Sequence, residues 1–443
     1  MIASVIGKTL LQEYNRREGK SYSAEEFFDN VFYPIFYDHP RYLQWMKDTP
    51  FVTNFKKGKL PDEANRSDRL QTFREKIKSP EFPDYTYAIG FPSMNSTATT
   101  SGQVTNLSPS IPREEIYATW IGNGLGIRVQ GGICFLFNHP QILWTIYTGW
   151  QIYRSFIEEY EDLRPNQIDT WNGQWFSYAC SEEFDELSPS TGMSGKMSNA
   201  NGGGLEFTTQ QWTEVLFAVA DQFNEEQITG YVYSLGQTNT TVGFIPFKLP
   251  DISLPLQFYK ELFGDNETLT GIKNIRKLYG TAHSFKVACQ KGVIGTAALE
   301  PKDLAQYMNS TRGKMKIPDY KKADQDTAIT FNVYQTWLLA MLNNKELWER
   351  ANDAAEAYLE YVAGSKNVSR GRINLVNEVL EATNKRKFIE SNITVVESAG
   401  ASAQKISDLV QDVNLMPEDS FRYFHTLIKF RYAFWKNQQQ GEN

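Results

Sequence analysis

Three polar, glycine-containing segments gather the residue types that read nucleic-acid base edges. They are Gln103 and Asn106 beside Ser101-Gly102; Lys196, Asn199 and Asn201 leading into Gly202–Gly204; and Gln237 and Asn239 beside Gly236. An Asn or Gln amide offers a donor and an acceptor side by side, matching the edge of a base. Glycine lets the backbone enter a narrow groove, and lysine reaches a phosphate. One such segment is an ordinary surface turn. Three of them, together with basic positions at Lys273, Arg276 and Lys277, at Arg312, Lys314 and Lys316, and at Lys385, Arg386 and Lys387, raise DNA recognition as the chemistry to expect. The 194–204 segment ranks first, because only it joins a lysine to consecutive glycines.

Catalytic spacings are missing. The run Gly122-Asn123-Gly124-Leu125-Gly126 lacks the GxGxxG spacing of a dinucleotide site, and a β-rich run follows it where a helix is needed, so it reads as a close backbone approach at a turn. No two of His39, His139, His283 and His425 stand within four residues of each other, and no GxSxG elbow exists. His39 and His139 each precede a proline, a turn signature, and all four histidines read as structural. Asp84 follows Pro83, but no acidic-x-Lys pair comes after it as a metal-dependent nuclease requires. The acidic run Glu158–Asp162 reads as a solvated helix end. No metal site, cofactor or catalytic residue is expected, nor hydrolysis by the chain alone.

A net charge of −7 argues against holding nucleic acid by bulk electrostatics, though not against local basic patches. Cys134, Cys180 and Cys289 are far apart with no CxxC pair, which fits a reducing, cytoplasmic compartment. The N-terminal apolar run is flanked by charges and reads as an amphipathic helix rather than a signal peptide. Apolar stretches such as Ile133–Phe137 fall far short of the ~18–20 residues a membrane span needs.

The elements that position these residues suggest an α+β protein: a mixed N-terminal module over 1–310 with Gly/Asn-rich loops, then an all-α bundle over 320–443. In the module, Ser23 and Glu26 spell a capping box. Residues 59–80 suggest a surface helix, the span 81–135 suggests strands, and 141–163 suggests an apolar-striped helix. Residues 164–204 look like the most flexible stretch. A helix capped by Thr208 or Thr209 follows, then a hairpin around 236–241, then helices over 254–300. The basic, Gly- and Pro-containing run 309–324 looks like a linker. Beyond it the pattern predicts helices near 325–343, 344–363, 371–391, 402–415 and 417–437, able to fold alone.

This order of parts resembles the large subunit of type I CRISPR effector (Cascade) complexes, and subtype I-B above others. The similarity is carried by FNVYQTWLLAMLNN (331–344), RGRINLVNEVLE (370–381) and LMPEDSFRYFHTLIKFRYAFW (415–435). The resemblance implies a non-catalytic subunit that recognises the protospacer-adjacent motif in duplex DNA and helps open it. Its implied partners are CRISPR RNA, target DNA, the other Cascade subunits and the helicase-nuclease, with no membrane. It also implies that a separate small subunit could be translated from the C-terminal part, since Met308 and Met315 lie at the linker. A divergent restriction-type nuclease of phage defence is the alternative.

Overall fold

Local signals set the first elements. Ala3, Ile6, Leu10 and Tyr14 recur at helical spacing and are buried on one face of α1 (Ile2–Glu18), which ends at Gly19 in the left-handed region. Ser23 opens α2 (Ala24–Phe27) with the expected capping box: its hydroxyl accepts from Glu26 N at 3.2 Å, and the Glu26 carboxylate accepts from Ser23 N at 2.8 Å. A π-helical turn, Phe28–Phe32, runs straight into α3 (Tyr33–Phe36), with Pro34 tolerated in its first turn. These rings build a core: Phe32 stacks on Phe36 at 4.1 Å, and Phe36 meets the edge of Trp150 at 4.8 Å. The computed structural model describes residues 1–44, 46, 51, 61–78, 89, 111–223, 227–235, 240–264, 275–320, 325–364 and 370–441.

The expected surface helix is α4 (Glu63–Lys78), with Phe73 its buried anchor. The next element corrects the sequence reading: Arg113–Asn123, expected as strand, is helix α5. It packs on α1 at very close range. A Cβ added at Gly122 would overlap the carbonyl oxygen of Ala3, and one at Gly7 would overlap that of Ala118. Of the expected strands at 81–110 only Ile89 is described, so that expectation lies outside the described residues.

After α5 come β1 (Ile127–Val129), β2 (Ile133–Phe137), α6 (Pro140–Glu159) and α7 (Ile168–Ala179). Helix α6 is the striped helix, with Ile142, Ile146, Trp150, Tyr153 and Phe156 buried. The stretch 164–204, expected to be most flexible, instead holds α7, a 3₁₀ turn (Thr191–Lys196) and β3 (Met197–Asn199), and β4 (Leu205–Phe207) follows it. Helix α8 (Trp212–Gln222) is capped by Gln211 with Glu214, not by Thr208 or Thr209. The expected hairpin follows as β5 (Gln227–Ser234) and β6 (Thr240–Lys248). Four strands form an antiparallel sheet in the order β1-β2-β5-β6. One face packs Phe135 and Phe247 against Phe285, with Phe137 edge-on to Phe247.

Two compact units divide the chain: Met1–Leu249 with Phe285–Val293, and Pro250–Ser284 with Ile294–Asn443. The division falls after Leu249, well before the 309–324 run suggested as a linker. The second unit carries α9 (Leu249–Phe263) from its second residue on. The first unit receives α10 (Phe285–Cys289) from later in the chain. The second unit then holds a two-residue-stranded hairpin, β7 (Ser310–Thr311) with β8 (Lys314–Met315), and helices α11 (Gln325–Leu342), α12 (Glu346–Ala363), α13 (Arg370–Leu380), α14 (Lys385–Ser398), α15 (Ala403–Leu415) and α16 (Glu418–Gly441). The helix expected over 371–391 is therefore two helices, because the Asn384 side chain accepts from Lys387 N at 2.8 Å and caps a new start. The fold is α+β.

The suggested linker is packed, not free. Tyr320 meets Phe331 and Phe434 at 4.8 and 5.3 Å, Met315 N donates to Glu381 O, and Tyr307 meets Phe430 edge-on at 5.2 Å. Further upstream, Thr296 O accepts from Trp337 Nε1 at 2.9 Å. A 316–443 fragment keeps α11–α16 but lacks Thr296 and Tyr307. It is expected to be helical by far-UV CD yet to melt roughly 10 °C or more below a 294–443 fragment. Coincident melts of the two fragments would refute this.

Candidate nucleic-acid interface

The best-ranked sequence segment is a built hairpin. Strands β3 and β4 pair antiparallel from Met197↔Phe207 to Asn199↔Leu205. The turn between them needs glycine: Gly202, Gly203 and Gly204 have φ of 97°, 95° and 83°, where side chains are strained. Gly203 N donates to Ala200 O, and Ala200 N to Gly204 O. The foot is held twice over. Leu205 N donates to Asp162 O and Arg164 N to Leu205 O, both at 2.9 Å. The Arg164 guanidinium pairs with Glu206 at 2.7 Å and donates to the carbonyl of Asn201 at 2.7 Å. Phe207 anchors the hairpin in the core against Trp171 at 5.0 Å. Asn199 and Asn201 are exposed near the tip, and Lys196 is half-buried at the base, its carbonyl accepting from Thr208 N at 3.0 Å.

The other sequence candidates are placed unevenly. Gln103, Asn106, Gln237, Asn239 and Lys273 lie outside the described residues. Arg276 and Lys277 sit in the second unit, half-buried and exposed respectively. Arg312 is exposed at the tip of the β7–β8 hairpin, at a positive φ of 54°. Lys314 pairs with Glu381 at 2.7 Å, and that carboxylate holds its ammonium above the usual value. Lys316 donates to Gln306 at 2.7 Å and lies 5.1 Å over the Tyr307 ring. The Lys385 ammonium donates to the carbonyls of Asn414 and Met416, closing the C-terminus of α15. Arg386 pairs with Glu390 one turn on, at 2.8 Å, while Lys387 is exposed. Lys314, Lys316, Lys385 and Arg386 are thus surface groups tied to neighbours within the fold.

The glycine run at 122–126 is the close approach expected of it. Asn172 Nδ2 donates to the carbonyls of Gly124 and Gly126 at 2.8 and 2.9 Å, and a Cβ at Gly126 would press on Asp169, Cys134 and Tyr233. Sequence reasoning missed this cluster. Burial raises the Asp169 carboxyl to about 7, against a smaller opposing pull from Arg128, and its Oδ1 is buried without a hydrogen-bond partner. Burial also pushes the Cys134 thiol well up, which makes it inert rather than nucleophilic. No local motif links Asp169 to Cys134, so only the fold could reveal their meeting.

The histidines serve the fold. His139 caps α6, His39 Nδ1 accepts from Arg41 N at 3.0 Å, His283 lies 3.4 Å from Glu300, and His425 is buried beside Val379 O. Among the described residues no group of three or more His, Cys, Asp or Glu is placed to hold a metal ion, and no helix is long and apolar enough to cross a membrane. No protein-family model matches this chain, and neither a curated protein nor a solved structure is significantly similar to it.

Proposed function

We propose that this chain is the non-catalytic large subunit of a type I CRISPR surveillance complex. In this reading it recognises the protospacer-adjacent motif in duplex DNA, aids strand opening and offers a surface to the helicase-nuclease. The observation that carries the reading is the 197–207 hairpin, which combines a firmly held foot, a glycine turn and exposed Asn199 and Asn201. A base-reading amide gains selectivity only on such a fixed support, since discrimination depends on hydrogen-bond geometry. The helices α11–α16 that follow the mixed unit support the same organisation. The partners are CRISPR RNA, target DNA and the remaining Cascade subunits. The compartment is the cytoplasm, and no cofactor is required.

The test uses the assembled complex and DNA carrying matched or altered motifs. Asn199→Ala/Asn201→Ala should lose discrimination on the order of 1–3 kcal/mol for each base-edge contact removed. Lys196→Ala should weaken all sequences alike and flatten the salt dependence. If both variants keep parental affinity and motif preference, the hairpin is not the reader. The isolated chain should leave DNA and RNA intact with Mg²⁺ or Mn²⁺. Cleavage that a single carboxylate substitution abolishes would turn the reading to a restriction-type nuclease.

A further inference from the structure

The four-stranded sheet has a second face, and its outer half is open. Cross-strand register puts Tyr231 opposite Phe244, Thr229 opposite Pro246 and Gln227 opposite Lys248. Gln227, Thr229, Thr241 and Lys248 are exposed, as the solvated side of an antiparallel sheet should be. Phe244 breaks that rule. It is 59% exposed, its ring 5.4 Å from that of half-buried Tyr231, while Phe135, Phe137 and Phe247 lie buried on the other face. Tyr231 is in turn braced by Tyr233 at 5.6 Å and by a 2.7 Å hydrogen bond between its hydroxyl and that of Thr241.

Charge narrows the occupant. In a chain of net charge −7, the four strands carry two basic residues, Arg128 and Lys248, both exposed, and no acidic one. Acidic Asp169 lies at the β1–β2 end, under Gly126, with its Oδ1 buried. The strand edge itself is poorly suited to accept another strand. β6 is the outer strand, and it carries Pro246, a register shift opposite Val232/Tyr233 and Lys248. A ligand that lies across the face, with flat rings for Phe244 and negative charge for Lys248, is the better fit.

We infer that the β5–β6 face is a binding strip for single-stranded nucleic acid, in which a base stacks on Phe244 beside Tyr231 and Lys248 meets the backbone. Any base can supply the ring, so the strip is sequence-tolerant. It is separate from the β3–β4 hairpin and does not depend on that hairpin's role.

The test is fluorescence anisotropy of a labelled oligothymidylate of ~15 nucleotides, within the usual site size, titrated with the full chain at low salt. Phe244→Ala should weaken binding roughly 5- to 150-fold, the equivalent of about 1–3 kcal/mol for one stacked base. Phe244→Trp should retain binding. Phe244→Leu should lose it, because leucine keeps apolar area but has no ring face. Lys248→Gln should lower the salt slope by about 0.7. Parental affinity in Phe244→Ala or Phe244→Leu overturns the proposal, as does absence of oligonucleotide binding by the parent. Self-association of the parent that is lost in Phe244→Ala, without oligonucleotide binding, would make the strip a contact between copies and overturn it too. Duplex binding through the hairpin is read separately with the Asn199 and Asn201 variants, so the two readings can fail independently.

Discussion

Gly122→Ala is expected to undock α1 and lower the unfolding free energy by at least about 3 kcal/mol, the upper end of overpacking costs. Propensity alone argues for the opposite sign, since alanine in a helix interior is favoured over glycine by about 1 kcal/mol. Packing wins because the added methyl would overlap backbone, the carbonyl of Ala3, which no rotamer change can move aside. Displacing α1 would also uncover Ile6 and Leu10, both buried, at about 1.5–3 kcal/mol for each side chain. Gly7→Ala attacks the same seam from the other helix, through the Ala118 carbonyl. Denaturant unfolding gives the magnitude, and amide exchange confined to residues 2–18 identifies α1 as the part released. A variant as stable as the parent would mean the two helices are not this close.

The second large effect is on the pH dependence of the second unit. Lys429 is fully buried, its ammonium donating to the carbonyl of Tyr307 at 2.5 Å, and burial pulls it down to about 7. His425, one turn earlier on α16, is stacked on Phe421 at 5.3 Å. Burial first, and the nearby Lys429 second, hold it well below its ordinary value. In both cases the unfolded chain binds the proton more tightly than the folded one. Between the lysine's ordinary value near 10.5 and about 7, stability therefore falls as pH falls, and below about 6.5 the histidine continues the fall. The thermal midpoint of the second unit should climb from pH 6 to pH 9. A tenfold weaker hold on the proton in the folded chain costs about 1.4 kcal/mol, so the lysine contribution is on the order of 3–5 kcal/mol at neutral pH. Lys429→Met removes that burden and leaves the Tyr307 carbonyl without its donor, at a cost of about 1–3 kcal/mol. The variant should gain on the order of 1–3 kcal/mol at pH 7 and lose most of the slope above it. A parental midpoint that is flat between pH 6 and 9 would count against the lysine.

What could be read from the sequence was local. The Ser23–Glu26 box, the α6 stripe and the glycine turn at 202–204 each depend on neighbours a few residues apart, and each formed. Helix α5 is hidden from sequence periodicity for a physical reason: Ile116 through Gly122 are all buried, since α1 covers one side and the aromatic cluster around Trp120 the other. A helix wrapped on both sides shows no 3.6-residue alternation, and its Ile, Tyr and Trp then resemble a strand. The run at 309–324 looked like a linker because its Lys, Gly and Pro content hides what Tyr320 and Met315 do in the core. The same limit applied to the basic candidates. Composition shows that Lys314, Lys385 and Arg386 are charged, but their partners Glu381, Asn414, Met416 and Glu390 emerge with the fold.

The return of Phe285–Val293 to the first unit also fixes an order in time. While the chain is being made, residues 1–249 emerge with the β2–β6 aromatic face lacking Phe285, the ring that packs on Phe135 and Phe247 and stacks on Trp212 at 5.2 Å. At roughly 5–20 residues per second, the segment from 250 to 293 needs about 2–9 s to follow. During that interval the sheet carries an open aromatic surface on a nascent chain. The first unit closes only after the opening stretch of the second has left the ribosome. The two units are therefore tied together during synthesis by the path of the chain itself.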